Sequence, residues 1–185
     1  EKSLASFERE RLPHFVNRQL DTLVEASFLD RRENILAFGN PGSGKTHLLA
    51  AIGLELVHLG KRVLLYTCSI LVQDLLRAKR DLELKNFIKK LLRNDVLIID
   101  DIGYVQQSRE EMEVLFTLLA EFYERRSLMI SSNLAFSHWE KIFKDPMTTT
   151  AAIDRLVHHS IILELNVASY RLEKSKAVQA EEKND

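Results

Sequence analysis

The chain has 185 residues, 45% of them apolar and 29% charged, with a formal net charge of −1. That length and balance suit one α/β domain with a sizeable core, and they exclude a uniformly basic nucleic-acid binder, so any DNA contact must be concentrated on one surface. No apolar run is long enough to span a membrane, no signal-peptide pattern opens the chain, and the single cysteine, Cys68, excludes an internal disulfide; together these point to the cytoplasm.

The chain opens on Glu1 rather than Met, so a fragment of a longer protein is expected. Residues 1–33 carry Phe7, Leu12, Phe15, Leu20, Leu23, Val24 and Phe28, which predicts two short helices packing on the core that follows. Many nucleotide-binding domains wall the base pocket with such a segment.

Residues 34–53 read NILAFGNPGSGKTHLLAAIG. Ile35–Phe38 predict a buried strand, and Leu48, Leu49, Ile52, Leu56 and Leu59 recur at helical spacing. Between them, Gly39-Asn40-Pro41-Gly42-Ser43-Gly44-Lys45-Thr46, followed by His47, fits G-x-x-x-x-G-K-[ST]. The glycines let backbone curl around phosphate oxygens, and the helix adds the positive end of its dipole. Lys45 then reaches the β- and γ-phosphates, and Thr46 offers a hydroxyl to Mg²⁺. Kinases, motors, switches and loaders all use this grip, so it names the ligand, ATP or a relative, without naming the task.

Further apolar runs at 63–67, 96–100, 127–131 and 161–165 predict four more strands. Helical patterns separate them, which predicts a parallel sheet covered on both faces. Cys68 follows the second run and is expected to be a buried structural thiol. Residues 77–93, RAKRDLELKNFIKKLLR, hold seven basic and two acidic side chains. Leu84, Phe87, Ile88 and Leu91 form an apolar stripe there, with Lys85, Lys89 and Arg93 beside it at i, i+4, i+8. A DNA-contacting face and a solvated helix face both give this pattern.

The run DVLIIDD, residues 95–101, delivers Asp100 and Asp101 to a strand end. Beside the phosphate loop, Asp100 would hold Mg²⁺ and Asp101 would polarise a water for attack on the γ-phosphate. A solvated pair before Gly103 is the plain alternative. Tyr104–Gln107, with Ser108 and Arg109, forms a second candidate DNA contact next to the carboxylates. Met112, Leu115, Phe116, Leu119 and Phe122 predict a long helix. Another strand then ends in Ser131, Ser132 and Asn133; Asn133 can both donate to and accept from a water or phosphate, although Asn also favours turns. Ser137-His138-Trp139-Glu140 has capping-box spacing and predicts a helix start. Arg155 and Arg171 are candidates for stabilising phosphoryl charge, and surface ion pairs are the commoner fate of arginine. His158 and His159 lack carboxylate or cysteine partners at metal spacing and read as structural. The residues from 172 on predict a frayed tail.

Taken in order, GNPGSGKTH, VLIIDD with IGY, SSNL, DRLVHHS and SYR resemble the AAA+ ATPases of the branch that holds DnaC-type helicase loaders and IstB-like transposition helpers, nearest the latter. The opening KSLASFERERLP is similar too. The resemblance implies a P-loop NTPase fold with a five-stranded parallel sheet in the order 5-1-4-3-2 and no full C-terminal lid domain, its core at residues 34–171. It implies Walker A contacts at Lys45 and Thr46, a Walker B pair at Asp100 and Asp101, sensor 1 at Asn133, a finger at Arg155 reaching a neighbour's site, and a sensor-2 role for Arg171. Many AAA+ proteins have Glu where this chain has Asp101, one methylene shorter, which implies slow hydrolysis or a repositioned water. The branch often carries a further N-terminal domain that engages the partner.

The expected function is that of an ATPase using ATP and Mg²⁺, self-associating on duplex DNA as a ring or helix and serving a transposase. A helicase loader on single-stranded DNA is the alternative within the branch. A small-molecule kinase is the alternative outside it, and it predicts turnover as a monomer.

Overall fold

The computed structural model describes residues 4, 9–103, 108–167 and 169. A short 3-10 turn (Arg9–Arg11) precedes α1 (His14–Leu23) and α2 (Ser27–Asp30). Strand β1 (Asn34–Phe38) leads to α3 (Lys45–His58), and β2 (Val63–Thr67) to α4 (Cys68–Arg80) and α5 (Leu84–Leu91). Next come β3 (Val96–Ile102), α6 (Arg109–Phe122), β4 (Ser127–Ser132), α7 (Glu140–Phe143), α8 (Pro146–Val157) and β5 (Ser160–Glu164).

All pairings are parallel, and the order is β2-β3-β4-β1-β5. That is the expected 5-1-4-3-2 read from the other edge. The strands alternate between two cores, because successive residues point to opposite faces. Leu36, Leu97, Ile99 and Ile130 join α4 through α8 on one face; Ile35, Ala37, Ile98 and Met129 join α1, α2 and α3 on the other. Central strands buried on both sides therefore read as unbroken apolar runs. Gly53 lets α3 lie close to the sheet, since a Cβ there would meet Ile98 Cδ1 at 2.8 Å.

Helices α1 and α2 pack against α3 and one face of the sheet; Phe7 lies outside the described residues. Val16, Leu20 and Leu23 share the buried i, i+4, i+7 face of α1, while Phe15, one residue round, is 41% exposed. Leu59 falls just past α3 and is exposed rather than part of its buried stripe. Cys68 is buried at the start of α4. The expected capping box at Ser137–Glu140 does not form. Phe136–His138 is a 3-10 turn, and Trp139 is fully buried with Nε1 donating to the Leu134 carbonyl at 3.1 Å. Burying that indole, about 1.5–3 kcal/mol for a large apolar side chain, outweighs a local cap.

Candidate nucleotide site

The C-terminal ends of β1, β3 and β4 form one edge. β4 lies between the other two, so the phosphate loop after β1, the carboxylates of β3 and the polar tip of β4 converge there. In open parallel sheets this is the edge where ligands bind.

Lys45 is the first residue of α3 and is only 5% exposed. Its ammonium donates to the carbonyls of Gly39 (2.7 Å) and Asn40 (2.9 Å), so it lies back across the loop. Thr46 Oγ1 donates to Asp100 Oδ1 at 2.9 Å, which leaves the hydroxyl lone pairs available to a cation. Asp100 is buried, and its Oδ1 also accepts from Ser131 Oγ at 2.5 Å. The backbone N–H of Asp101 donates to the same Ser131 oxygen at 2.8 Å. Asp101 sits in the left-handed region at φ +59°.

Two oxygens here are buried and lack hydrogen-bond partners among the described residues: Ser43 Oγ in the loop and Asn133 Oδ1 at the tip of β4. Unsatisfied buried acceptors are rare and call for an explanation. A bound group that brings donors, such as a hydrated Mg²⁺–phosphate complex, would satisfy both, so the residues present fit the implied ligand. Gly42 has φ +81°, and a Cβ there would strike Ser169 Oγ. The segment after β5 therefore crosses the loop, anchored by the Leu165 N–H donating to the Phe38 carbonyl at 2.7 Å. Ser169 carried no signal of its own in the sequence; only its place in SYR pointed this way. Arg171, the residues 172–185 and Tyr104–Gln107 lie outside the described residues.

Other expected site residues fall elsewhere. Arg155 is half-buried on α8, its guanidinium 4.9 Å over the Phe116 ring, with Nη1 donating to the Ala151 carbonyl at 3.3 Å. Lys85 and Lys89 are exposed on α5, and Arg93 is exposed but lies beyond the helix end, so the i, i+4, i+8 stripe is broken at its third member. Ser108 is the N-cap of α6: its hydroxyl accepts from the Glu111 N–H at 3.3 Å, and the Glu111 carboxylate accepts from the Ser108 N–H. Arg109 is exposed and pairs with Glu113 at 3.4 Å. At the opposite edge of the sheet the fold supplies His158 and His159 with the carboxylate their sequence lacked. One ligand atom each from Glu124, His158 and His159 lie within 4.8 Å of one another, all exposed, and Tyr123 Oη is 3.0 Å from His158 Nδ1.

The sheet order, phosphate loop and carboxylate strand define a P-loop NTPase of the AAA+ type. The sequence matches the family described as "IstB-like ATP binding protein" over residues 1–178, and the chain belongs to that family. It is 47% identical over 171 residues to an insertion sequence ATP-binding protein of Sinorhizobium fredii, covering 92% of this chain and 57% of that protein. It is 39% identical over 177 residues to the insertion sequence IS21 ATP-binding protein of Pseudomonas aeruginosa, covering 95% and 67%. The chain thus spans little more than half the length of the first of these relatives. Among solved structures, DnaI superposes with a TM-score of 0.72 at 19% identity, covering 88% of this chain and 89% of that one. The DnaC helicase loader gives 0.71 at 18%, covering 80% and 86%. At such identities the likeness is one of fold.

Proposed function

We propose that this chain is the ATP-driven, DNA-binding helper of an insertion-sequence transposase. It assembles on duplex DNA with ATP between subunits and hydrolyses that ATP to ADP. The observation that carries this is the pair of orphaned acceptors, Ser43 Oγ and Asn133 Oδ1, beside the Lys45, Thr46 and Asp100 cluster, in a chain whose relatives are named for insertion sequences. Residues 34–171 form the ATPase core, with the helices before residue 34 packed on it.

The backbone N–H groups between Gly39 and His47, Pro41 having none, and the Lys45 ammonium bind the phosphates, Lys45 exchanging the Gly39 and Asn40 carbonyls for phosphate oxygens. Thr46 and Asp100 hold Mg²⁺, which when bound neutralises charge on the phosphates. Asp101 orients the attacking water, with Asn133 as its second contact. Arg155 leaves Phe116 to reach a neighbour's phosphates, and Arg171 approaches the chain's own. Lys85, Lys89, Arg93, Ser108 and Arg109 face the DNA. ATP that touches two subunits favours the assembled state by its differential affinity for it.

Binding of the complete gene product to a long duplex and to a matched single strand, with and without ATP, tests the proposal, with Lys45→Ala as control. Cooperative duplex binding that needs ATP and is lost in Lys45→Ala is expected. A clear single-strand preference would move the assignment to a helicase loader, and turnover by a monomer indifferent to DNA would move it to a small-molecule kinase.

A further inference from the structure

Adjacent carboxylates on a regular strand point to opposite faces of the sheet. At Asp100 and Asp101 the β3·β4 pairing is irregular, so that alternation need not hold there. Ile99 lies opposite Ile130 and Ile102 opposite Ser132, so β3 advances three residues while β4 advances two. The extra residue falls at the carboxylates, and the turn it needs is taken by Asp101 at φ +59°. This is a β-bulge, a device that re-aims a side chain at the cost of a ladder hydrogen bond.

The partner across the bulge is Ser131, which is fully buried. Its oxygen accepts the Asp101 N–H at 2.8 Å and its proton goes to Asp100 Oδ1 at 2.5 Å. One hydroxyl therefore ties both carboxylate residues to the tip of β4, the same strand that ends in Asn133. From Thr46, Asp100 Oδ1 accepts a second bond at 2.9 Å. A charged acceptor held by two hydroxyls has a fixed orientation and keeps its other oxygen outside this pair of bonds.

We infer that Ser131 is a positioning residue for the nucleotide-bound cation and the attacking water: it fixes the Asp100 carboxylate and holds the bulge that aims Asp101. Alanine would remove the acceptor of the Asp101 N–H and one of the two hydroxyl donors to Asp100 Oδ1 at once. Valine or threonine would add the β-branched bulk that suits a strand, but only threonine would keep the hydroxyl. The inference rests on the proposed hydrolysis of Mg²⁺-bound ATP.

The test uses the complete gene product and its Ser131→Ala and Ser131→Thr forms. Affinity for a fluorescent ATP analogue in EDTA reports the phosphate loop alone and shows that each variant is folded. Electron paramagnetic resonance of Mn²⁺ with the nucleotide reports the cation site, and steady-state hydrolysis on duplex DNA reports the water. Ser131→Ala is expected to leave the affinity in EDTA unchanged while weakening Mn²⁺ about tenfold, the scale of one hydrogen bond to a charged group. Its kcat should fall by about tenfold or more with KM for ATP unchanged. Ser131→Thr should restore both. In an Asp101→Asn background, Ser131→Ala should lower kcat by less than it does in the wild type, since the share that acts through Asp101 is already removed, while its effect on Mn²⁺ through Asp100 should persist.

Undiminished Mn²⁺ affinity and kcat in Ser131→Ala would overturn the inference. So would a loss that Ser131→Thr, shown to be folded by its binding in EDTA, fails to restore. A wild-type protein that binds ATP and never turns it over would sink the hydrolysis assignment instead, and the Mn²⁺ comparison would then decide on Ser131 by itself.

Discussion

Asn133 ends a strand whose other polar tips are engaged. Ser131 bonds both carboxylate residues, and Ser132 Oγ lies 3.1 Å from the Ile102 carbonyl and 2.9 Å from that of Leu134. Asn133 Oδ1 alone is buried and without a partner among the described residues of this tip. An unmet buried acceptor costs about 1–3 kcal/mol, and Asp101 at φ +59° adds a strain of about 1–3 kcal/mol. Both costs fall at the sheet edge where the phosphate loop and the carboxylates converge. Asn133→Ala is therefore expected to leave the unfolding midpoint unchanged or raised, and ATP affinity little changed. Hydrolysis should fall by roughly tenfold to a hundredfold, the range for losing a positioned polar group. A calorimetric midpoint and a steady-state rate on the same preparation check it; a destabilised Asn133→Ala with normal turnover would make Asn133 a turn residue and nothing more.

Edge strand β2, which pairs with the carboxylate strand β3, has an ion pair at its start. Arg62 Nη2 meets Asp95 Oδ1 at 3.2 Å, and Arg62 Nε and N–H meet Asp95 Oδ2 at 3.3 and 2.9 Å, so the residue before β2 is pinned to the residue before β3. Hydrogen bonding from Arg62 holds the Asp95 carboxyl below its usual value, partial burial opposing it and the Arg62 charge assisting. With the folded value depressed, the stabilisation is present above the unfolded value of about 3.9 and is lost as pH falls through the folded one. Asp95→Asn should therefore lower the urea midpoint at pH 7, by no more than about 1 kcal/mol for so exposed a pair. The gap between the two proteins should close progressively below pH 4; a gap that persisted at pH 2 would assign it to packing. The element scale is also where the sequence was most and least legible. The central strands β1, β3 and β4 were plain because both faces are buried, so each is one apolar run. Ser137–Glu140 and Ser108–Glu111 share one capping spacing, and only the second forms a box, because burial of Trp139 overrides the first. The bulge at Asp101 left no trace in periodicity, since it is defined by pairing with β4. Arg155 on Phe116, and Glu124 beside His158 and His159, join residues far apart in sequence, and no local pattern encodes such meetings.

At the scale of the whole molecule, a net charge of −1 gives no general field that would draw DNA, so the proposed attraction has to be local. The proposal places it at α5. Lys85, Lys89 and Arg93 are exposed and make no ion pair among the described residues, whereas Lys79 and Arg109 are both tied to Glu113. Basic groups already neutralised by a carboxylate gain little from a phosphate, and uncommitted ones gain most. The buried side of α5, Ile88 and Leu91, packs into the same core cluster as α4, α6 and the strand β3 that carries Asp100. Replacing Lys85, Lys89 and Arg93 together by alanine is expected to weaken duplex binding and to flatten its dependence on salt. Each lost phosphate contact removes about 0.9 from the slope of log K against log salt, and sequence preference should not change, because phosphate contacts carry none. Titration of a fluorescent duplex across a range of salt, with ATP present, measures that slope directly. A full set of lost contacts would lower it by nearly three. An unchanged slope would move the DNA to another face, with Ser108 and Arg109 as the next place to look, and would leave the exposed charges of α5 as solvation alone.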